Sequence, residues 1–533
     1  MKKTFLLSCL MLAAMPVMVA YTGHVYVDKN KNGVFDQSEK PLAGIKVSDG
    51  LNVVETAADG SFTLPGHERE RFIFITTPSG YKTFNRHYHK IEKKQSGYDF
   101  GLIPYSGRIR KDGSHRYIHI TDTEIFNTEN HADWVNNVRD YARNEQAAFI
   151  IHTGDICYEK GLKAHIKLMN TENMDCPVFY CIGNHDLVKG KYGEELFESI
   201  YGPVYYSFDA GNVHYVVTPM PGGDHAPGYT SDDVCRWLKN DLAHIRPGTP
   251  VVVFNHDLLT YEDTFIFKSK NAGSINLNEY NLKAWVYGHW HINYMKKQGD
   301  VYSVCTSSLD KGGIDHSTTA FRVMHVDSKG DFTSELRYTY LDKNICIASP
   351  AGVMASGVLP VAVNVYSSVS PVREVLYTCL ADGKPVLKNK RLLQSTDWSW
   401  NGELPLSHKY VGKELTLRVT ARFNNGEIAE AESNFICRTE KAVPLFSADW
   451  DNLSGNAKHS APVSAPLNLP LQLAWTNNVG ANLYMTSPLI HKGKVIVASV
   501  DEDLKGAGHV YALNGKDGTI LWSCPVRNSI KNS

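Results

Sequence analysis

Five apolar stretches in the middle of the chain each run directly into polar residues that can bind metal ions. RYIHITD and AAFIIHTGD end at aspartates, VFYCIGNHD ends in an asparagine, a histidine and an aspartate, and PVVVFNHD and KAWVYGHWH supply further histidines. The candidate metal ligands are Asp122, Glu124, Asp155, Asn184, His256, His289 and His291. Carboxylates, an amide oxygen and several imidazoles in one place favour a site for hard to borderline divalent metal ions.

The stretches that carry these residues belong to an alternating pattern of strands and helices. Between residues 112 and 330, apolar runs alternate with helical patterns such as ADWVNNVRDYARNEQ and SDDVCRWLKNDLAHI. This alternation predicts a layered α/β domain. Because ligands collect at the carboxyl ends of strands in such domains, we expect the candidate ligands to converge at one edge of the sheets.

The ordered set D-x-E, G-D, G-N-H-D, H and G-H-x-H resembles the motifs of the calcineurin-like metallophosphoesterases. The likeness covers about residues 113–325 and includes YYSFDAGNVHYVV and the WLKNDL helix. The resemblance implies an α/β fold in which a layered β-sandwich is flanked by helices. It also implies hydrolysis of a phosphate ester by two divalent metal ions that clamp the attacking and leaving oxygens.

The resemblance gives each motif residue a role. The first ion would be held by Asp122, residue 124, Asp155 and His291, and the second by Asp155, Asn184, His256 and His289. A hydroxide that bridges the two ions would attack phosphorus. His185 would protonate the leaving oxygen as the general acid. Asp186 would orient His185 or stabilise its charge, and capping of the next turn is the alternative for this residue.

Residue 124 departs from the family pattern, in which a histidine is usual. Glu124 would add a negative charge beside two aspartates, and harder ligands favour manganese, iron or magnesium over zinc. The added charge would also weaken the acidification of bound water. Direct ligation by Glu124 and a water molecule in its place both remain open. Neither version predicts an inactive site, since every other motif residue is present.

A second metal-binding motif lies near the start of the chain. The stretch DKNKNGVFDQSE has the spacing of an EF-hand loop, but the flanking GHVYV and LAGIKVS are typical of strands rather than helices. It resembles the calcium loops of bacterial surface B-type repeats. One structural calcium ion and a plain Asn/Asp/Gly turn both remain open. The candidate calcium ligands are Asp28, Asn30, Asn32, Asp36 and Glu39.

β-rich regions are predicted on both sides of the α/β domain. Residues 22–104 indicate an N-terminal β-sandwich-like domain, and residues 345–437 indicate a C-terminal β domain. Residues 460–533 contain TSPLIHKGKVIVASV and GAGHVYALNGKDGTILW, which resemble one blade of a pyrroloquinoline-quinone-type β-propeller. Because a single blade cannot bury its own faces, we expect a truncated propeller here.

The first residues indicate export. MKKTFLLSCLMLAAMPVMVA places two lysines before a short apolar run that ends in small residues, which predicts a bacterial signal peptide over residues 1–20. We expect the protein in the periplasm or at the cell surface, and Cys9 leaves lipoprotein processing open. No other segment is long and apolar enough for a transmembrane helix. Nine scattered cysteines follow the signal, and their pairing is open.

The net charge bears on the partners of the protein. A net charge of −1 provides no excess of positive charge with which to bind nucleic acid. The expected partner is therefore a phosphoester substrate. A phosphodiesterase or nuclease is one alternative. Another is a non-enzymatic binding module with a structural metal site, whose β domains contact glycans or the cell surface. His185 separates these hypotheses, because a structural metal site has no need of a general acid.

Overall fold

The computed structural model describes residues 20–93, 95, 97–439, 449–461, 471–481, 483, 486–500, 508–526 and 530. The predicted signal segment lies outside these ranges apart from Ala20, and so does Cys9. None of the described helices is both long and apolar enough to span a bilayer. The cysteines in the described ranges are all free thiols, so no disulfide bond connects them.

The N-terminal region is built from short strands. They are β1 (Tyr21–Val27), β2 (Lys40–Pro41), β3 (Lys46–Ser48), β4 (Val53–Glu55), β5 (Ser61–Leu64), β6 (Phe72–Ile75), β7 (Tyr81–Thr83), β8 (Tyr88–Lys90) and β9 (Phe100–Pro104). One sheet has the order β2-β1-β9-β7, with β5 also paired to β1, and the other has the order β4-β3-β6-β8.

Strand β6 joins this region to the middle of the molecule. Ile73 and Ile75 pack in the N-terminal core, whereas Phe72 and Phe74 pack in the core of the middle region. The Phe74 ring lies 6.3 Å from the ring of Trp237. Because alternate side chains of a strand face opposite sides, a single strand contributes to both cores.

The middle region contains two larger sheets and the four described α-helices. Its strands are β10 (His115–Ile120), β11 (Phe149–His152), β12 (Val178–Tyr180), β13 (Tyr206–Ala210), β14 (Val213–Val217), β15 (Val251–Phe254), β16 (Ile266–Lys268), β17 (Ser274–Asn276), β18 (Leu282–Tyr287), β19 (Tyr294–Gln298), β20 (Val301–Cys305), β21 (Ala320–Val326) and β22 (Phe332–Tyr338). Its helices are α1 (Ala132–Asn144), α2 (Tyr158–Leu168), α3 (Glu195–Tyr201) and α4 (Ser231–Ala243). The sheet orders are β12-β11-β10-β21-β22 and β13-β14-β15-β18-β20-β19, and β16 pairs with β17.

An aromatic core lies between the two sheets. Tyr117 of β10 stacks on Phe149 of β11 with ring centroids 4.7 Å apart. From the second sheet, Tyr215 lies 5.0 Å from Phe149, and Phe254 lies 5.8 Å from Tyr117. Alternate residues such as Ile118 pack on the opposite face with the helices. Burial of both faces fixes the register of these strands, because a shift by one residue would exchange the faces.

Strand direction determines where the candidate ligands lie. Strands β10, β11 and β12 run parallel to one another, and so do β14, β15, β18 and β20. The carboxyl ends of parallel neighbours meet at the same edge of a sheet. The loops after β10, β11, β12, β15 and β18 are the ones that carry the predicted metal ligands.

The C-terminal region is all β. Its strands are β23 (Asn344–Ser349), β24 (Gly352–Ala355), β25 (Val358–Tyr366), β26 (Val372–Ala381), β27 (Lys384–Arg391), β28 (Leu393–Gln394), β29 (Ser399–Pro405), β30 (Glu414–Phe423) and β31 (Ile428–Arg438). The orders are β23-β25-β29-β28 and β24-β31-β30-β26-β27, and residues of both sheets share one apolar core that includes Val363, Trp400 and Val419. An α/β middle region with β regions on both sides confirms the predicted fold class.

Four further strands form an antiparallel sheet in the order β32-β33-β34-β35. They are β32 (Leu489–His491), β33 (Lys494–Ala498), β34 (His509–Asn514) and β35 (Ile520–Pro525). Parts of this segment, including residues 501–507, lie outside the described residues. The likeness to a propeller blade stays a prediction.

Candidate metal centre

Strained backbone marks the predicted ligands. Five of the seven have a positive φ angle, in the left-handed region that residues other than glycine rarely adopt. They are Asp122 (51°), Glu124 (43°), Asp155 (54°), His289 (64°) and His291 (51°). Such a conformation costs about 1–3 kcal/mol per residue and persists only where the surroundings enforce it. The loops therefore maintain these side chains in directions that a relaxed backbone would not give.

Asp155 lies at the centre of the cluster. Its Oδ2 is 3.1 Å from Nε2 of His256, and its Oδ1 accepts a 3.0 Å hydrogen bond from the backbone N–H of His185. Asp155, His256 and His289 each offer a ligand atom within 4.8 Å of the others. Burial opposes ionisation of Asp155, but the charge of His256 and the hydrogen bonds from His256 and His185 together outweigh it and lower the carboxyl pKa. Asp155 thus lies within reach of ligand atoms on two other loops.

Asp122 connects the second group of predicted ligands. Its Oδ1 lies 3.3 Å from Nε2 of His291 and 3.9 Å from Nε2 of His256. Its carboxylate also accepts a 3.0 Å hydrogen bond from the backbone N–H of His289. Oε1 of Glu124 lies 3.6 Å from the same His291 nitrogen. The structure therefore brings Glu124 to the site, on the side of Asp122 and His291.

Two buried polar atoms show whether these residues fit a metal ion. Nδ1 of His256 is 2.7 Å from the Thr153 carbonyl oxygen, and because a carbonyl only accepts, Nδ1 carries the proton. The opposite nitrogen, Nε2, is buried and directed at the carboxylate of Asp155, and Oδ1 of Asn184 is buried without a hydrogen-bond partner among the described residues. A buried oxygen without a partner and a buried group of carboxylates are both stabilised by a cation that lies among them. The donor set fits divalent ions.

The electrostatics of His256 agree with this fit. Burial alone would lower the pKa of its imidazole, but the charges of Asp155 and Asp122 raise it to about 9. The carboxylates therefore create a strongly negative potential at a fully buried point. A bound cation is what such a potential stabilises.

Two glycines permit the close approach of the loops. A Cβ atom at Gly183 would lie 2.2 Å from Oδ1 of Asp155, and one at Gly288 would lie 1.9 Å from Oγ1 of Thr121 and 2.5 Å from Oδ2 of Asp122. Any side chain at these positions would displace a ligand loop. The glycines in the G-N-H-D and G-H-x-H motifs are thus required by packing.

The structure places the Asp186 carboxylate against backbone groups of two ligand loops. Its Oδ1 accepts a 2.8 Å hydrogen bond from the N–H of Cys157, and its Oδ2 accepts a 2.9 Å bond from the N–H of Gly183. Burial raises the pKa of this carboxyl to about 7, and the Asp155 charge adds to the effect. Asp186 therefore fastens two ligand loops together, and its effect on His185 stays a prediction.

Asp224 is the residue that holds His185. Its Oδ2 lies 2.9 Å from Nδ1 of His185, and its own N–H donates to the Asn184 carbonyl oxygen over 3.0 Å. Burial lowers the pKa of the imidazole, but the hydrogen bond to Asp224 and nearby carboxylates outweigh it and raise the pKa. Asp224 belongs to PMPGGDHAPGY, a stretch whose polar, glycine-rich composition indicates a pocket wall but no particular contact.

Two more side chains at the site were missed by sequence reasoning. Nζ of Lys311 lies 2.9 Å from Oε2 of Glu124. The Cys157 thiol can approach both Glu124 and Asp155, but burial raises its pKa and keeps it protonated at neutral pH. Neither residue belongs to a motif, so the sequence carries no local signal for them.

The predicted calcium loop is a turn between β1 and β2, flanked by strands as expected. The Asp28 carboxylate accepts hydrogen bonds from the N–H groups of Asn32 (3.1 Å) and Gly33 (2.9 Å), and Glu39 accepts one from the N–H of Lys29 (2.8 Å). These bonds close the loop in the manner of a plain turn. The calcium ion, with Asp28, Asn30, Asn32, Asp36 and Glu39 as ligands, stays a prediction.

Family models match two adjacent parts of the chain. Residues 29–104 match the model described as the N-terminal domain of calcineurin-like phosphoesterase, and residues 115–293 match the model described as calcineurin-like phosphoesterase. These matches confirm the resemblance that the ordered motifs indicate, and that family comprises hydrolases of phosphoric ester bonds.

Individual relatives are distant. Purple acid phosphatase 13 of Arabidopsis thaliana is 26% identical over 215 residues, which is 38% of this chain and 36% of that protein. The chain thus spans little more than a third of that relative. Vacuolar Protein Sorting 29 from Cryptosporidium parvum is 10% identical, with a TM-score of 0.22, and covers 55% of this chain and 99% of its own. A predicted phosphoesterase from Streptococcus pneumoniae is also 10% identical, with a TM-score of 0.20 and coverages of 42% and 98%.

Proposed function

We propose that the protein is an exported, two-metal phosphoesterase, since residues 29–104 and 115–293 match the family models of the calcineurin-like phosphoesterase N-terminal domain and of calcineurin-like phosphoesterase. The observation that carries the proposal is the position of Nε2 of His256, which is buried 3.1 Å from Oδ2 of Asp155 and 3.9 Å from Oδ1 of Asp122. Two buried carboxylates that converge on one imidazole nitrogen create a negative potential that a cation stabilises. Export to the periplasm or cell surface, and a structural calcium ion in the N-terminal loop, are parts of the same proposal.

Seven side chains would hold the two ions. They are Asp122, Glu124, Asp155 and His291 for the first ion, and Asp155, Asn184, His256 and His289 for the second. When bound, the ions supply Lewis-acid stabilisation of the phosphoryl oxygens and lower the pKa of the attacking water. Oxygen-rich ligation favours manganese, iron or magnesium over zinc.

His185 is proposed to deliver a proton to the leaving oxygen. Its Nδ1–H donates to Asp224, so the opposite nitrogen, Nε2, is the one available to a substrate. The ring is about one-third exposed, which leaves it accessible from the cleft. The hydrogen bond to Asp224 and nearby carboxylates raise the pKa of the imidazole, which favours the protonated form that a general acid requires.

The experiment is hydrolysis of para-nitrophenyl phosphate in the presence of manganese. We expect turnover by the native protein and loss of nearly all activity in Asp155→Asn and His289→Ala. His244→Ala is the matched control, because this exposed histidine follows helix α4 and its Nδ1 bonds only to the Asn240 carbonyl oxygen. Full activity in both ligand variants would overturn the proposal.

A further inference from the structure

Two aromatic rings lie side by side next to the candidate general acid. Phe126 is 59% exposed and Tyr158 is 41% exposed. Their ring centroids are 6.4 Å apart and their planes differ by 18°. We call this pair the aromatic ledge. Single exposed apolar residues are ordinary on protein surfaces, so the argument depends on where the ledge lies and how it is held.

The ledge borders His185. The Tyr158 ring centroid is 5.5 Å from that of His185, and the Tyr158 N–H donates to the His185 carbonyl oxygen over 3.3 Å. Phe126 follows the Glu124 loop by two residues. The ledge therefore lies between the loop of the general acid and the loop of a predicted metal ligand.

The surroundings fix the ledge in place. Cys157 and Tyr158 have φ angles of 74° and 52°, and this strained turn is held where the Cys157 N–H donates to Asp186 over 2.8 Å. On the other side, Ile125 is buried, and helix α2 approaches its carbonyl oxygen so closely that a Cβ at Gly161 would lie 2.3 Å from it. A strained, pinned turn that presents an aromatic ring to solvent is typical of a binding surface.

From this geometry we infer that the aromatic ledge binds the leaving group of the substrate, and that this group carries an aromatic ring. The inference rests on the proposed function, because it takes His185 as the proton donor to the leaving oxygen. Because the Tyr158 ring is the neighbour of the His185 ring, a leaving group whose oxygen is within hydrogen-bond reach of His185 lies beside Tyr158. Two nearly parallel π faces favour a flat aromatic group, which gains from stacking as well as from apolar burial.

A second aromatic pair, in which one ring is exposed, provides the control. Tyr261 is 78% exposed and stacks on Trp290 with ring centroids 5.9 Å apart. Trp290 lies between His289 and His291 in the chain, on the metal-ligand side rather than beside His185. A substitution at Tyr261 removes a comparable exposed ring without touching the ledge.

The test compares phenyl phosphate with glycerol phosphate across Phe126→Ala, Tyr158→Ala and Tyr261→Ala. We expect kcat/KM for phenyl phosphate to fall about tenfold in the two ledge variants, chiefly through KM. For glycerol phosphate, kcat/KM should change by less than about twofold, and Tyr261→Ala should leave both substrates unchanged. Comparing each substrate with itself across variants removes differences in leaving-group reactivity.

Binding gives an independent readout. Phenylphosphonate should bind the manganese-loaded protein more tightly than methylphosphonate, and Phe126→Ala should remove that difference. Equal losses for both substrates, a loss only in Tyr261→Ala, or equal binding of the two phosphonates by the native protein would each overturn the inference. Failure of the native protein to hydrolyse any phosphoester would instead overturn the proposed function, so the two failures are distinguishable.

Discussion

Lys311 and Glu124 form an ion pair at the edge of the candidate metal centre. Nζ of Lys311 lies 2.9 Å from Oε2 of Glu124 and 3.2 Å from its carbonyl oxygen, while Oε1 of Glu124 faces Nε2 of His291 over 3.6 Å. One carboxylate oxygen therefore faces a cation and the other faces the ligand cluster. Together Glu124 and Lys311 have no net charge, as a neutral histidine would. The lysine thus offsets the charge by which Glu124 was expected to weaken the acidification of bound water.

The first prediction concerns Lys311→Met, which keeps the length of the side chain and removes its charge. Without the cation, the negative potential at the site increases and manganese should bind about threefold more tightly. The effect is small because Lys311 is half exposed and its charge is screened. Chelator competition measures the affinity. Lys311→Arg should match the native protein, and unchanged or weaker binding in Lys311→Met would refute the offsetting role.

The second prediction concerns Asp224→Asn, which keeps the shape of the side chain and removes a charge that raises the pKa of His185. General acid catalysis contributes about 100-fold or more where the leaving group needs a proton. We therefore expect kcat for glycerol phosphate to fall by about 30-fold or more, and kcat for para-nitrophenyl phosphate to fall much less, since nitrophenolate leaves unprotonated. An equal fall for both substrates would show that Asp224 supports the loop rather than the proton donor.

The third prediction concerns the N-terminal region as a support for the loop that carries Asp224. Nη2 of Arg71 lies 2.8 Å from Oε1 of Glu194, whose Oε2 accepts a 2.8 Å hydrogen bond from the N–H of Gly228. Nη2 of Arg69 also donates to the Gly228 carbonyl oxygen over 2.7 Å. These contacts connect the N-terminal region to the far end of the Asp224 loop.

Arg71→Met removes the cation that pairs with the buried carboxylates of Glu194 and Glu198 and should reduce the free energy of unfolding by about 3 kcal/mol. Turnover of glycerol phosphate should fall as well, because the loop loses its anchor. Urea unfolding and kinetics measure both effects. The double variant Arg71→Met/Glu194→Gln should recover part of the stability, and an Arg71→Met variant as stable as the native protein would contradict the support role.

The fourth prediction concerns acid stability. His165 is buried, neither ring nitrogen has a hydrogen-bond partner within the described part of the chain, and burial lowers its pKa to about 3. In the unfolded chain this histidine has an ordinary pKa of about 6.5, so between that pH and the folded pKa the unfolded chain binds a proton that the folded chain does not. The contribution of neutral His165 to stability is therefore complete above about pH 6.5 and is lost as the pH falls. His165→Leu should reduce the slope of unfolding free energy against pH by about 1.4 kcal/mol per pH unit between pH 6 and 4. An unchanged slope would exclude His165, and the exposed His244→Ala variant serves as the control.

The sequence predicts the ligand set and its position better than the contacts that support it. Strand alternation and motif order place Asp122, Asp155 and His289 at one sheet edge, because each directly follows a strand. Asp224 is 39 residues from His185, and Lys311 is 187 residues from Glu124. Such contacts depend on tertiary loop packing, which no local pattern encodes.

For Asp186, proximity in sequence does not indicate the contacts that the side chain makes in the structure. It neighbours His185 in sequence, but successive side chains leave the backbone in different directions, and two backbone N–H groups engage its carboxylate. The positive φ angles of the ligand residues were equally inaccessible from sequence, because local propensities favour relaxed backbone. The calcium loop and the propeller-like segment stay predictions.

Electron paramagnetic resonance of the manganese-loaded protein tests most directly whether Asp155 joins two metal ions. With two equivalents of Mn²⁺, we expect a spectrum of two exchange-coupled ions, as for ions about 3.5–4 Å apart. Asp155→Asn should convert it to the spectrum of isolated ions. A native protein that shows only isolated Mn²⁺ under the same loading would exclude a carboxylate shared by two ions.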